Sequence, residues 1–218
     1  MALNKLKFNS INVTPAASEA IRFNSSANGL ETASAGGSLV KIASTTASSS
    51  SSISFTSGID STYKEYIFFF NNIHPQTNTV QFDFNVSADG GSNYNVVRTS
   101  TFFNAYHNED DSGTDLSYGG NNDLAQALGG SQTFGEFGSN LGNGNDECMS
   151  GYLHLFEPSS TTFVKHYIGT SNIYHQADLS IVNYFAGYAN STSAINAIQF
   201  LFDSGNIDSG TITMYGVK

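Results

Sequence analysis

Apolar and polar positions alternate along much of this chain with a period of two. Val80-Gln-Phe82-Asp-Phe84-Asn-Val86 keeps the alternation without a break, so Val80, Phe82, Phe84 and Val86 fall on one face of an extended strand. The turn cluster Ala88-Asp89-Gly90-Gly91-Ser92-Asn93 follows, its glycines suited to positive φ. Tyr63 to Phe70 becomes continuously apolar toward its end, as a strand packed on both faces would. Similar signals mark 39–44, 52–56, 94–103, 132–137, 149–156, 162–169, 179–188, 194–202 and 210–217. Helix is nearly absent from this pattern; Asp123-Leu-Ala-Gln-Ala-Leu128 has room for a turn or two. Many short strands separated by regular turns predict an all-β protein, and a jelly-roll-like β-sandwich is the best single architecture.

Two segments break the rhythm. Residues 1–37 are expected to form an arm, because their apolar content is too scattered for a core of its own. Thr14 and Pro15 suit the cap and first position of a short helix running to Ile21, and an extended arm with a few β bridges is the alternative. The body then runs from 38 to 218. Within it, 104–145 holds nine glycines and few β-branched residues, and reads as long loops between strands. Loops on a rigid sandwich are where binding usually sits. The tract Ser48 to Ser52 reads as a solvated connection or a polar edge strand.

Composition agrees with the pattern. Ser, Thr and Asn fill 72 of 218 positions and favour turns and strands over helix. Seventeen Phe are too many to leave in water at roughly 1.5–3 kcal/mol each, so the chain is not simply disordered. Only 12% of residues are charged, and the net charge is −10. Such a surface repels phosphate, which argues against nucleic-acid and anionic-membrane partners. No stretch approaches the roughly 20 apolar residues of a membrane span. Lys5 and Lys7 have no apolar segment behind them, so a signal peptide is not expected and folding in a cytoplasm is.

Templates for chemistry find little. There is no Gly-x-Ser-x-Gly, His-Glu-x-x-His, Cys-x-x-Cys or Walker loop, and no enzyme or cofactor is expected. A pair of carboxylates hydrolysing sugars is the one catalytic alternative that needs no local motif. Cys148 reads as a core filler, since Asp146 and Glu147 beside it would raise a thiol pKa. Glu109-Asp110-Asp111-Ser112-Gly113-Thr114-Asp115 is a dense anionic run. It reads as a solvated acidic loop, or as a Ca²⁺ site using Asp110, Asp111 and Asp115, although EF-hand spacing is missing. A hairpin centred on Ser160 would set His154 opposite His166, either as two half-exposed polar residues or as a metal or proton-sensitive pair. Aromatics among Asn, Gly and Ser resemble binding surfaces, and Tyr106, Tyr118, Phe134 and Phe137 are the candidates in 104–145.

The order of several segments brings a resemblance. Ile53-Ser-Phe55-Thr-Ser-Gly58-Ile-Asp60-Ser-Thr-Tyr63 leads into an aromatic strand and Asn71-Asn-Ile-His-Pro75. Asp89-Gly-Gly-Ser-Asn-Tyr94 follows, and Gly205-Asn-Ile-Asp-Ser-Gly210-Thr-Ile-Thr-Met-Tyr215-Gly-Val-Lys218 closes the chain. Over roughly 38–218 this resembles the β-rich virion proteins of tailed, notably marine, bacteriophages. The resemblance implies a tail-fibre or appendage subunit on the virion surface, docked on other virion proteins by its arm and forming a homo-trimer or higher oligomer. Its exposed loops would then contact a host surface glycan or protein. A capsid decoration protein without a receptor is the alternative, and a fibre-borne glycan hydrolase a third.

Overall fold

A computed structural model of the protein describes residues 19–34, 38–119, 123–129, 137–138 and 140–218. These residues fold into fourteen strands and no helix, and form two compact units that divide between Leu39 and Val40. In the first unit β1 (Glu19–Phe23) pairs antiparallel with β2 (Leu30–Ser34), with Phe23 opposite Leu30 and Ile21 opposite Thr32. The Asn24 N–H donates to the Gly29 carbonyl at 2.9 Å, and the Asn24 side-chain oxygen accepts from the Asn28 N–H at 3.2 Å. Of the two expectations for the arm, the extended one describes these residues. Glu19, Ala20 and Ile21, expected to end a helix, are strand; Thr14 to Ser18 lie outside the described residues.

The second unit is a lopsided sandwich. Its large sheet has nine antiparallel strands. Eight follow one path: β3 (Leu39–Thr46), β14 (Ile207–Val217), β5 (Glu65–Pro75), β10 (Met149–Phe156), β11 (Lys165–His175), β12 (Leu179–Ala189), β7 (Arg98–Asn108) and β8 (Thr114–Tyr118). The ninth, β9 (Ala125–Ala127), also pairs with β7. The small sheet has three strands: β4 (Ile53–Phe55), β13 (Ala197–Phe202) and β6 (Phe82–Ser87). The all-β sandwich is therefore present, and among the described residues its two sheets hold nine and three strands.

Phenylalanine joins the two sheets. Phe68 of β5 lies 5.4 Å from Phe200 of β13, Phe70 lies 5.9 Å from Phe82, and Phe84 meets Tyr167 edge-on at 5.1 Å. All six rings are buried. At about 1.5–3 kcal/mol for each fully buried Phe, this stack is a large share of what holds the sandwich closed.

Between β5 and β14 the register shifts twice near Ser209. Gly210 sits there at φ 112°, and a Cβ would fall 2.5 Å from the Asn72 carbonyl oxygen, so only glycine fits. The serine tract runs beside the start of β14, where Ser50 bridges Ile207 and the Ser49 hydroxyl donates to Asp208 at 2.9 Å.

The segment 104–145 differs most from expectation. Strand β7 continues through Asn108 and β8 returns along it, pairing Phe103 with Tyr118 and His107 with Thr114. Where Asp123 to Leu128 promised a turn of helix, the structure has β9. Of the strand expected at 132–137, residues 132–136 lie outside the described residues, and Phe137 is in a turn. The Phe137 ring is fully buried, 4.7 Å from both Phe70 and Phe185. Its N–H donates to the Phe82 carbonyl at 3.3 Å, and its own carbonyl accepts from Asn183 Nδ2 at 3.1 Å. This residue fills the gap where the edge of the small sheet meets the large one.

Candidate functional site

Four aromatics were expected to bind. Phe137 is core, as its zero exposure shows. Tyr106 shares its parity along β7 with buried Phe102, and so turns inward and packs against the core. Phe134 lies outside the described residues. Only Tyr118, at 63% exposure, stands on the surface.

The acidic run is the β7–β8 turn and does not gather into a metal site. Asp110 caps the turn by accepting the Ser112 N–H at 3.0 Å, and the hydrogen bonds from Ser112 hold its pKa below the usual carboxylate value. Asp111 sits at φ 60° with Oδ1 3.2 Å from His107 Nε2, and Asp115 has moved on to β8, opposite Tyr106. Among the described residues no three His, Cys, Asp or Glu side chains are placed to hold a metal ion.

The histidine pair also separates. The β10–β11 hairpin turns about Thr161, one residue later than expected, so His154 faces Ile168. His154 Nδ1 instead contacts the Glu65 carboxylate of β5, and His166 lies opposite Tyr188 of β12. Cys148 is half-buried, and its thiol pKa is raised by burial first and by Asp146 second. It lines a polar cavity of about 310 Å³ with Asn72, His74, Asn145, Asp146, Glu147 and Ser209. His74 Nδ1 is 2.6 Å from the Glu147 carbonyl oxygen there, so this nitrogen is engaged with backbone.

A different surface stands out. One row of cross-strand neighbours crosses seven strands on the outer face of the large sheet: Thr213, Phe69, Tyr152, Thr170, Tyr184, Phe103 and Tyr118. Its rings meet in two pairs. Phe69 lies 6.5 Å from Tyr152, and Phe103 stacks on Tyr184 at 5.1 Å with 15° between planes. The row on one side reads Tyr215, Ile67, His154, Ile168, Ala186 and Thr101; that on the other reads Ser150, Asn172, Val182, Ala105 and Leu116. None of these positions is Asp, Glu, Lys or Arg.

Large apolar side chains here stand in water: Leu116 is 69% exposed, Ile168 50%, Phe103 45% and Tyr184 43%. An antiparallel sheet with one solvated face normally carries polar residues on it. The small side chain of Ala186 leaves an apolar dimple of about 190 Å³, walled by Thr101, Ile168, Phe103 and Tyr184. Phe69, Tyr152, Ile168 and Tyr184 were missed as candidates because they lie on four different strands and only the sheet order and register set them side by side. The available signal was β12, Leu179–Ala189, where Ile181 and Phe185 alternate with Val182, Tyr184 and Tyr188 and both faces are apolar.

No family model, curated protein or solved structure matches this chain.

Proposed function

We propose that this protein is a non-catalytic structural subunit that assembles through the outer face of its large sheet, on the surface of a tailed-phage virion. The observation that carries the contact role is the uncharged, aromatic outer face, where Ile168, Tyr184, Phe103, Leu116 and Tyr118 stand exposed on four adjacent strands, since exposed apolar patches mark interaction sites. The virion setting rests on the turn-and-strand resemblance over 38–218, with residues 1–37 as the attachment segment. The reading covers a decoration protein on the capsid and a subunit of a tail appendage alike.

A non-catalytic role is supported by what the acids do. Asp60 accepts from the Thr62 N–H at 2.8 Å, Asp203 from the Gln81 N–H at 2.9 Å, and Asp83 pairs with Arg98 at 2.9 Å. Glu157 pairs with Lys64 at 3.0 Å and Glu147 closes its own turn on the Gly144 N–H. Each of these carboxylates holds local structure.

Quantitative mass spectrometry of particles purified from lysed cultures that express the gene tests the setting. Enrichment of the chain in particles, at a fixed ratio to the major capsid protein, is the expected result. Its absence from particles overturns the virion reading, and the ratio separates decoration from appendage, because a decoration protein is far more abundant.

A further inference from the structure

We infer that the outer face of the nine-stranded sheet is where two copies of this chain meet. This rests on reading that face as a contact surface, and it names the partner. Three observations carry it.

The first is charge. The molecule carries a net charge of −10, while the three rows of the outer face hold no Asp, Glu, Lys or Arg. Copies meeting there avoid the acid-on-acid repulsion that an average patch of this surface would impose.

The second is size. The three rows hold 18 positions, of which Thr213 and Ile67 are buried; at normal strand spacing and rise the other 16 make a field of about 500 Å² in plane. Side-chain relief raises the accessible area further, toward the ~800 Å² per partner of a standard stable interface.

The third is self-complementarity. A two-fold interface needs a projection and a recess on the same patch. The Ala186 dimple is the recess, and Leu116, 69% exposed two strands away, is the projection. The walls of the dimple are almost entirely apolar, which suits an apolar side chain; a sugar would need several convergent polar groups there.

Sedimentation velocity over a concentration series tests this on the full chain. The comparison is between the native protein, the double variant Ile168→Glu/Tyr184→Glu, the single variant Leu116→Glu, and Phe163→Glu as a control. Phe163 is 72% exposed and lies outside the three rows. A carboxylate placed on a two-fold face meets its own copy, so the face variants should associate at least ~100-fold more weakly than the native chain and the control. All four should keep the same circular dichroism spectrum and melting temperature when monomeric. A native chain that stays monomeric, or face variants that assemble as well as the native chain, overturns the inference. Binding of the same proteins to immobilised neutral oligosaccharides separates the two levels. A monomeric native chain that binds, with binding lost in the face variants, overturns the second copy as partner while the contact face stands. A monomer whose face variants change nothing overturns both.

Discussion

Two sets of side chains in this molecule are placed against their polarity. On β6, Asp83, Asn85 and Ser87 are polar and buried; across the outer face of the large sheet, Leu116, Ile168, Phe103 and Tyr184 are apolar and exposed. The first set is covered by groups that match it. Arg98 reaches from β7 to Asp83 at 2.9 Å with its guanidinium 3.8 Å from the centre of the Phe84 ring. Asn85 trades two hydrogen bonds with the Gly129 backbone, 3.0 Å to its carbonyl and 2.9 Å from its N–H. The second set meets nothing comparable among the described residues of this chain. Alternation thus tells which positions share a face, and only the rest of the fold tells whether that face is covered. A polar face can be buried when each group finds a partner, whereas an apolar one in water calls for a partner from outside.

The strongest way to break this contrast is at the buried pair. Asp83→Ala leaves the Arg98 charge without its carboxylate in a fully buried site, and should lower stability by about 3–5 kcal/mol in urea unfolding. A loss below ~1 kcal/mol would show that β6 is not covered in the way described. Phe137→Ala tests the other half of the cover. It empties a ring site touched by Phe70, Phe82, Phe84 and Phe185, for an expected ~3–5 kcal/mol. Deleting 104–145 would remove this ring together with β8 and β9, so that change tests folding rather than binding. On the exposed side the expectation reverses. Tyr184→Ser, measured at concentrations where the chain is monomeric, should shift stability by no more than about 0.5 kcal/mol. A loss of several kcal/mol would mean that the outer face is covered within the chain after all.

How much of this was legible follows from the same contrast. The strand at 149–156 was read to the residue, and 179–188 to within one, because turn residues bound both runs, Glu157-Pro158 after the first and Asn190-Ser191 after the second. The Val80-to-Val86 alternation did place Val80, Phe82, Phe84 and Val86 together in the core. Nothing local announces that Arg98 and Gly129 will arrive to cover its polar positions Asp83 and Asn85. Glycine density suggested loops at 104–145, yet Gly119 and Gly129 are small because something passes close: a Cβ would meet the Phe102 ring at 2.4 Å and the Phe84 carbonyl at 2.5 Å respectively. The candidate face was out of reach for a different reason. Its rings come from β5, β10, β12, β7 and β8, and only the sheet order makes a row of them.

The smallest expected effect separates hydrogen bonding from burial at one end of β6. Asp89 follows Asp83 by six residues but is solvent-exposed, so any advantage of its charged form comes from hydrogen bonds alone. The Ser87 hydroxyl donates to Oδ1 at 2.6 Å, Asn93 Nδ2 donates to Oδ2 at 2.7 Å, and the Asn93 N–H donates to Oδ1 at 2.9 Å. These bonds, that from Ser87 first, hold its pKa down to about 2. Because the folded value is depressed, the unfolded chain binds the proton more readily between that value and the ordinary ~3.9. The stabilisation is therefore complete above the unfolded value and fades as the pH falls toward about 2. Asp89→Asn removes the ionisation while keeping most of the side chain. The stability gap between native and variant protein should be widest near neutral pH and should narrow steadily below about pH 4. A gap that stays constant down to the acid limit would assign the turn's stability to shape alone, and would leave the buried Asp83 as the carboxylate near β6 whose charge matters.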